Sequence, residues 1–191
     1  LVLLGGFSWR QWQGNLQADA EQASQLYGQL ADIASGNPAL EVPEEDFSTA
    51  EFINEQLHAD FADTIYARYG SLFMARLHVR SGDLDGAERE LSWILDNPDL
   101  GLLQRAGEEI LLTARLRLAR VVLAKGEAER ALQLLNNADP GPYVAAYLEV
   151  EGDIYMAMGQ IEDARSAWQE AAANGANSAI LELKLRDLGE A

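Results

Sequence analysis

The chain has 191 residues and no cysteine, is 48% hydrophobic, and carries 31 acidic and 14 basic side chains for a formal net charge of −17. This length predicts one globular domain that buries about 70% of its unfolded surface, so its core needs neither disulfide bonds nor a metal ion. The acidic excess argues against a nucleic-acid-binding protein, because phosphate contacts need a basic surface. It equally disfavours a protein that binds membranes through a polybasic face.

The first thirteen residues form a segment of their own. Residues 1–7 carry no charge, and Trp9, Arg10 and Trp12 follow as an aromatic and basic cluster of the kind found at a membrane–water interface. Seven residues are too few to cross a bilayer, which takes about 20. Two interpretations follow: residues 1–13 are the C-terminal end of a transmembrane helix, or they form a hydrophobic arm that packs on the domain.

The hydrophobic pattern of residues 14–191 predicts an all-α domain. Apolar residues at three- and four-residue intervals predict an N-terminal helix over 15–35. Residues 37–46 contain two prolines and four acids, which is typical of a solvated linker. Helical periodicity resumes near Phe47 and continues to about Leu188, and no alternating segment bounded by hairpin turns predicts a strand.

Three segments share one spacing of small residues. In each, a small residue lies seven positions before a glycine, an alanine follows that glycine by five, and a large apolar residue follows four later. The glycine permits a tight turn between two helices, the small residues allow those helices to approach, and the large residue fills the gap between successive hairpins. The three sets are Ala75, Gly82, Ala87 and Leu91; Ala119, Gly126, Ala131 and Leu135; and Gly152, Gly159, Ala164 and Trp168.

This spacing resembles the tetratricopeptide repeat, a helical hairpin of roughly 34 residues. We therefore predict about three degenerate tetratricopeptide-like hairpins over residues 63–188, preceded by the N-terminal helical segment. The three turn glycines are 44 and then 33 residues apart. The first interval should therefore carry an insertion, at the corner 97–99 and in a longer helix after it. An ordinary helical bundle with alanine-rich crossings is the alternative.

Further motifs extend over essentially the whole chain. They are residues 6–12 (GFSWRQW), 64–75 (TIYA and then SLFMA), 116–121 (LRLARV) and 159–168 (a glycine and then ARSAW). In this order they resemble the YfgM-like ancillary subunits of the bacterial SecYEG translocon. The resemblance implies a single-pass protein of the bacterial inner membrane, with residues 1–13 ending its transmembrane helix. It also implies a periplasmic helical repeat domain that partners the translocon and PpiD, a membrane-anchored periplasmic chaperone.

No catalytic, cofactor or metal motif is recognisable in the sequence. The two histidines, His58 and His78, form no His-Glu-x-x-His motif, and there is no Gly-x-Ser-x-Gly or glycine-rich phosphate loop. Asp83-x-Asp85-Gly86 resembles the start of a calcium loop but lacks its further ligands. We expect Asp83 to cap a helix and His78 to be packed rather than to bind a metal. The sequence predicts neither an enzyme nor a small-molecule substrate.

Stacked helical hairpins form a curved array whose first helices line the concave face, and such arrays bind peptides or partner helices there. Six of the 14 basic residues lie between Arg105 and Arg130. These residues either contribute to a binding surface or pair with neighbouring acids. The predicted partner-binding residues are Tyr69, Leu72, Arg76, Arg80, Leu116, Arg120, Leu123 and Met156, with Glu149 and Asp153 forming an acidic end.

Together these observations predict a non-enzymatic, membrane-anchored protein-interaction module of the secretory pathway that binds no nucleic acid. Two alternatives stay open. One is a soluble tetratricopeptide adaptor, against which the tryptophans near the N-terminus argue. The other is an enzyme whose carboxylates form an unrecognised site on a helical scaffold.

Overall fold

The computed structural model describes residues 18–33, 42–98 and 104–189. Over these ranges the chain is helical and has no strand, which confirms the all-α prediction. Residues 18–33 form α1, and the later elements are α2 (Glu44–Asp60), α3 (Ile65–Ser81), α4 (Leu84–Asp96), α5 (Gln104–Ala124), α6 (Ala128–Asn136), a 3₁₀ turn (Gly141–Tyr143), α7 (Val144–Ala157), α8 (Ile161–Ala173) and α9 (Ala179–Gly189).

The predicted membrane-interface residues Trp9, Arg10 and Trp12 lie outside the described residues, and so does most of the predicted linker. Where the structure does describe the chain, no helix is both long enough and apolar enough to cross a bilayer.

Three helical hairpins follow from the repeated spacing: α3 with α4, α5 with α6, and α7 with α8. A glycine forms each turn in a left-handed backbone conformation, with φ of 81° at Gly82, 85° at Gly126 and 75° at Gly159. A side chain would be strained at these angles, so the glycines fix where each hairpin turns. The alanines of the pattern are buried: Ala75, Ala87, Ala119, Ala131 and Ala164 are each at most 2% exposed.

The third hairpin uses its small residue for a different contact from the one predicted. A Cβ added at Gly152 on α7 would lie 2.3 Å from the indole Cδ1 of Trp168 on α8. The indole Nε1 donates hydrogen bonds to the carbonyl oxygen of Glu149 and to the Asp153 carboxylate, both at 3.1 Å. Trp168 therefore fills the inside of its own hairpin, and it also joins Leu181 of α9 in one buried cluster.

The insertion between the first two hairpins lies largely in α5. This helix has 21 residues, whereas α3 has 17 and α7 has 14, as the longer interval predicted. The preceding corner is held by Arg68, which is only 2% exposed. Its guanidinium donates to the carbonyl oxygens of Ala62, Thr64 and Asn97 at 2.7, 2.9 and 2.6 Å. Arg68 thus ties the start of α3 to the end of α4.

Helix α2 begins before the predicted position. Glu44, Glu45 and Asp46 were expected in the linker 37–46, but they form the first turn of α2 directly after Pro43. Negative side chains are favourable there because the N-terminal end of a helix carries a partial positive charge. The predicted linker was therefore wrong for its last three residues.

The core runs along the array as three buried clusters. The first joins α1 and α2 to α3, with Leu30, Leu57 and Met74 fully buried. The second lies among α3 to α7, and the third closes the C-terminal end between α8 and α9. Among the residues that the structure describes, one face of α3 and one face of α5 line open cavities, and the candidate site lies between them.

Candidate functional site

Two adjoining cavities lie along α3 and α5, with volumes of about 410 and 320 Å³. Arg76 and Arg117 line both cavities, so we treat the two as one continuous α3–α5 groove. The first cavity is lined by Tyr27, Tyr69, Leu72, Phe73, Arg76, Ala106, Glu109, Ile110, Thr113, Arg117 and Tyr143. The second is lined by Ala75, Arg76, Val79, Arg80, Leu84, Leu91, Arg117, Arg120, Val121 and Ala124.

Helical periodicity explains why these residues share a surface. On α3 the groove residues recur every three or four positions from Tyr69 to Val79, while Met74 and Leu77 between them are buried. Ten residues of α-helix rise about 15 Å, so the groove follows α3 for about that distance. The same periodicity along α5 places Arg117 and its neighbours opposite.

Three exposed arginines, Arg76, Arg117 and Arg120, define the charge of the groove, and we call them the groove arginines. Within the described part of the chain, no carboxylate oxygen lies within 4.0 Å of any of their guanidinium groups. Partial burial, together with the charges of Arg120 and Arg76, lowers the pKa of Arg117. The groove arginines therefore repel one another. The described residue Glu109 lines the same cavity as Arg76 and Arg117, but it forms no ion pair with them.

The neighbouring basic residues behave differently. Lys125 lies 2.6 Å from both Asp85 and Glu88, and these hydrogen bonds raise the pKa of Lys125. Arg130 pairs with Glu88 and, at 3.0 Å, with Glu127. Within the basic stretch 105–130, the two interpretations therefore apply to different residues. Lys125 and Arg130 pair with acids, whereas Arg117 and Arg120 have no carboxylate within 4.0 Å among the residues that the structure describes.

The structure brings five of the eight predicted partner-binding residues together in the groove: Tyr69, Leu72, Arg76, Arg80 and Arg120. Whether they bind a partner stays a prediction.

The other three predicted residues lie elsewhere. Leu116 is 7% exposed and belongs to the core, because one step along α5 from Arg117 turns its side chain by about 100°. Its prediction as a surface residue was wrong. Leu123 is half-buried and packs against the same core cluster. Met156 is 40% exposed but lines neither cavity.

The predicted acidic end of the concave face is not a free acidic surface. The Lys184 ammonium on α9 lies 2.5 Å from the Asp153 carboxylate and 3.5 Å from that of Glu149. Both acids are half-buried, and Asp153 also accepts the indole hydrogen bond described above. The prediction did not include Lys184 of α9, which follows the last repeat and compensates one of the two negative charges.

Sequence reasoning missed several groove residues. Arg117 and Thr113 precede Arg120 at helical spacing on α5, so the periodicity that selected Arg120 could have found them. The periodicity of the predicted helix 15–35 gave no reason to place Tyr27 in a groove. Its place beside Tyr69, with ring centroids 5.7 Å apart, depends on how α1 packs across α3. No local pattern contains that information.

Outside the groove, the polar cluster most like a catalytic one joins α2, α3 and α4. His58 Nε2 lies 2.6 Å from Ser71 Oγ and 3.8 Å from a Glu90 carboxylate oxygen. A nucleophile–base–acid arrangement needs the acid on the opposite ring nitrogen, whereas here both contacts fall on the same one. Ser71 is also fully buried. This cluster therefore serves packing between helices.

The remaining predicted polar residues have structural contacts. Asp83 accepts a 2.8 Å hydrogen bond from the Gly86 amide and caps α4, as predicted, and this bond lowers the pKa of Asp83. His78 is buried, with its Nδ1 2.9 Å from the Asp83 carboxylate and its ring against Phe47, which confirms a packed histidine. In the described ranges, no three His, Asp or Glu side chains are grouped so that they could hold a metal ion.

Comparison with known proteins adds a family and three relatives. The family model described as a tetratricopeptide repeat-like domain matches residues 1–190. The chain is 25% identical to the ancillary SecYEG translocon subunit of Escherichia coli strain K12 over 175 residues, which is 92% of this chain and 77% of that protein. Proteins of the same name match from Haemophilus influenzae, at 25% over 96% of this chain and 83% of the relative, and from Aggregatibacter actinomycetemcomitans, at 26% over 98% and 86%. No solved structure matches the chain.

Proposed function

Because the chain belongs to the tetratricopeptide repeat-like domain family, we propose that it is a non-enzymatic protein-interaction module of the bacterial secretory pathway. Its partners are the SecYEG translocon and a membrane-anchored periplasmic chaperone such as PpiD. The three relatives support the translocon assignment, since each is named an ancillary SecYEG translocon subunit and each alignment covers more than nine-tenths of this chain.

The observation that carries the proposal is the α3–α5 groove. It is an open groove that combines apolar lining with three arginines for which the described residues supply no carboxylate partner, on a chain of net charge −17. Charged and apolar groups combined in this way are typical of a surface that selects a protein partner. No group of side chains that could hold a metal ion, which would point to catalysis instead, occurs among the described residues.

The proposed membrane anchor raises the apparent affinity of the groove for a partner in the same membrane. Residues 1–13, as the end of a transmembrane helix, would hold the domain at the periplasmic surface of the inner membrane. A partner in the same membrane then meets the groove at a high effective concentration. Modest affinity in solution is therefore sufficient for association in the membrane.

The test is recovery of crosslinked partners from native membranes with the affinity-tagged full-length protein. We expect the wild type to recover translocon subunits. Reversal of two groove arginines, Arg76→Glu and Arg120→Glu, should reduce recovery by at least about fivefold, because glutamates at these positions repel the acidic side chains that a positive groove attracts. The control reverses Arg89 and Arg186 instead, which lie outside the groove and change the net charge equally.

Circular dichroism must show that both double variants are folded. Equal recovery by the groove variant and the control would contradict the groove assignment. Failure of the wild type to recover any translocon subunit would contradict the translocon assignment itself.

A further inference from the structure

The α3–α5 groove also indicates what kind of segment it receives. We propose that it binds an internal segment of a protein partner in which side-chain carboxylates flank a large apolar side chain. The inference rests on the proposed function for the partner's location, but its chemistry follows from the groove residues alone.

The groove arginines carry positive charge that is not paired among the described residues. Within the described residues Lys125, Arg130, Arg165 and Lys184 each lie within 4.0 Å of a carboxylate, whereas the groove arginines have no carboxylate at that distance. The described residues place four arginines, Arg76, Arg80, Arg117 and Arg120, and one acid, Glu109, in the lining of the groove, which gives a local positive field on an acidic protein. A bound carboxylate would relieve the repulsion among the groove arginines, and guanidinium groups bind carboxylates in a geometry that uses two hydrogen bonds.

Apolar side chains line the smaller cavity beside these charges. Beside the groove arginines, the smaller cavity of about 320 Å³ is lined by Ala75, Val79, Leu84, Leu91 and Val121. Val79 is 47% exposed, so this lining is open to a ligand. A leucine or phenylalanine side chain fits such a space, and its burial would add to the charge contacts. Glu109 lies in the lining of the larger cavity. Its negative charge repels a ligand's carboxylates, which directs them towards the groove arginines.

The length of the groove limits the size of the segment that it can receive. The groove follows α3 for about 15 Å, which corresponds to about ten residues of helix or about five of extended chain. The occupant is therefore a short segment rather than a broad surface. Neither cavity is lined by lysine or asparagine, the residues that grip a free C-terminus in carboxylate-clamp repeats. An internal segment consequently fits better than a chain terminus.

An anionic lipid surface is the competing source of negative charge. The chain's net charge of −17 repels such a surface. A bilayer also offers no protruding apolar side chain for the smaller cavity. Both features favour a peptide segment.

The experiment measures fluorescence anisotropy of labelled peptides with the full chain. The probe is an acetylated, amidated peptide of about 12 residues in which Asp and Glu flank Leu and Phe, a length slightly beyond the groove. One control peptide replaces the acids by Asn and Gln, and another replaces Leu and Phe by Ser. We expect the probe to bind at least about tenfold more tightly than either control peptide, and to weaken as NaCl rises from about 50 to about 300 mM.

Matched protein variants locate the binding. The double variant Arg76→Gln and Arg120→Gln should weaken probe binding at least about tenfold, whereas Arg89→Gln and Arg186→Gln, with the same change in net charge, should stay within about twofold. A neutral peptide that binds as tightly as the probe would overturn the inference. Equal binding by the two double variants would overturn it as well.

A separate arm uses phosphatidylglycerol vesicles. Displacement of the probe by these vesicles, with tighter binding to vesicles than to any peptide, would assign the groove to lipid and overturn the inference. Failure of this inference can be distinguished from failure of the proposed function. Selective peptide binding without recovery of the translocon from membranes would contradict the function alone, and recovery without peptide selectivity would contradict the inference alone.

Discussion

Replacing Gly152 by alanine should reverse the usual effect of that substitution. Within a helix, glycine to alanine normally stabilises a protein by about 0.5–1 kcal/mol, because alanine loses less backbone entropy on folding. At Gly152, however, the new Cβ would lie 2.3, 2.4 and 2.9 Å from Cδ1, Nε1 and Cγ of the Trp168 indole. Ordinary contacts need more than 3.4 Å, so the ring or the helices must move.

The cost of that movement exceeds the gain in helix propensity. Overpacking a buried site typically costs about 1–3 kcal/mol. Displacement of the indole also weakens its hydrogen bonds to Glu149 and Asp153, each with a net contribution of about 0.5–1.5 kcal/mol. Subtracting the propensity gain leaves a net destabilisation of about 1–3 kcal/mol. For a chain of this size, about 2 kcal/mol corresponds to a fall in Tm of roughly 4–8 °C.

Urea unfolding followed by circular dichroism at the helix band measures the effect. Gly28→Ala in α1 is the matched control, because a Cβ there meets nothing within 4 Å and should stabilise the protein. Adding Trp168→Phe to Gly152→Ala should give less than the sum of the two single costs, since the smaller ring relieves the clash. If Gly152→Ala is as stable as Gly28→Ala, the account of the third hairpin is wrong.

Three further predictions concern other parts of the chain. Arg68→Met should lower the free energy of unfolding by about 2–4 kcal/mol in urea titrations, because three carbonyl oxygens lose the hydrogen bonds from the Arg68 guanidinium. The control is Arg89→Met. The Arg89 side chain is 70% exposed, so this change should alter the free energy of unfolding by less than about 0.5 kcal/mol. Burial lowers the pKa of His58 from 6.5 to about 4. As the pH falls, His58 is therefore protonated in the unfolded chain before it is protonated in the folded protein. The free energy of unfolding should consequently fall by on the order of 2 kcal/mol between about pH 6.5 and 4. Glu90, whose pKa burial raises, acts in the opposite direction, so the decisive quantity is the difference in pH slope between wild type and His58→Gln; identical slopes would contradict the histidine's role. Deletion of residues 1–13 should leave Tm unchanged, since no helix-face periodicity links them to the repeats, and a large fall would place the apolar segment in the core.

Local rules account for what the sequence predicted correctly. The left-handed glycines at 82, 126 and 159 fixed three hairpin turns, because only a residue without a Cβ adopts those angles without strain. The cap at Asp83 follows from a single side chain and an amide three residues later. Five groove residues followed from the 3.6-residue period of two helices.

Contacts between residues distant in sequence account for what it missed. Lys184 pairs with both acids of the predicted acidic end and compensates one of their two charges, and it is 31 residues from Asp153. Lys125 pairs with Asp85, which is 40 residues away in the sequence. No spacing rule distinguishes this lysine from Arg120, which has no carboxylate within 4.0 Å in the described part of the chain. Leu116 shows the other limit, since one residue of helical register decides between a groove position and the core.

The central claim is that the α3–α5 groove, rather than another surface, contacts the translocon or a membrane-anchored chaperone beside it. Site-specific photocrosslinking in native membranes tests this most directly. The photoreactive residue benzoylphenylalanine replaces either Val79 in the groove or Ile161 at the start of α8, which are almost equally exposed at 47% and 48%. We predict partner adducts from position 79 and none from position 161. Adducts from position 161 without any from position 79 would contradict the account.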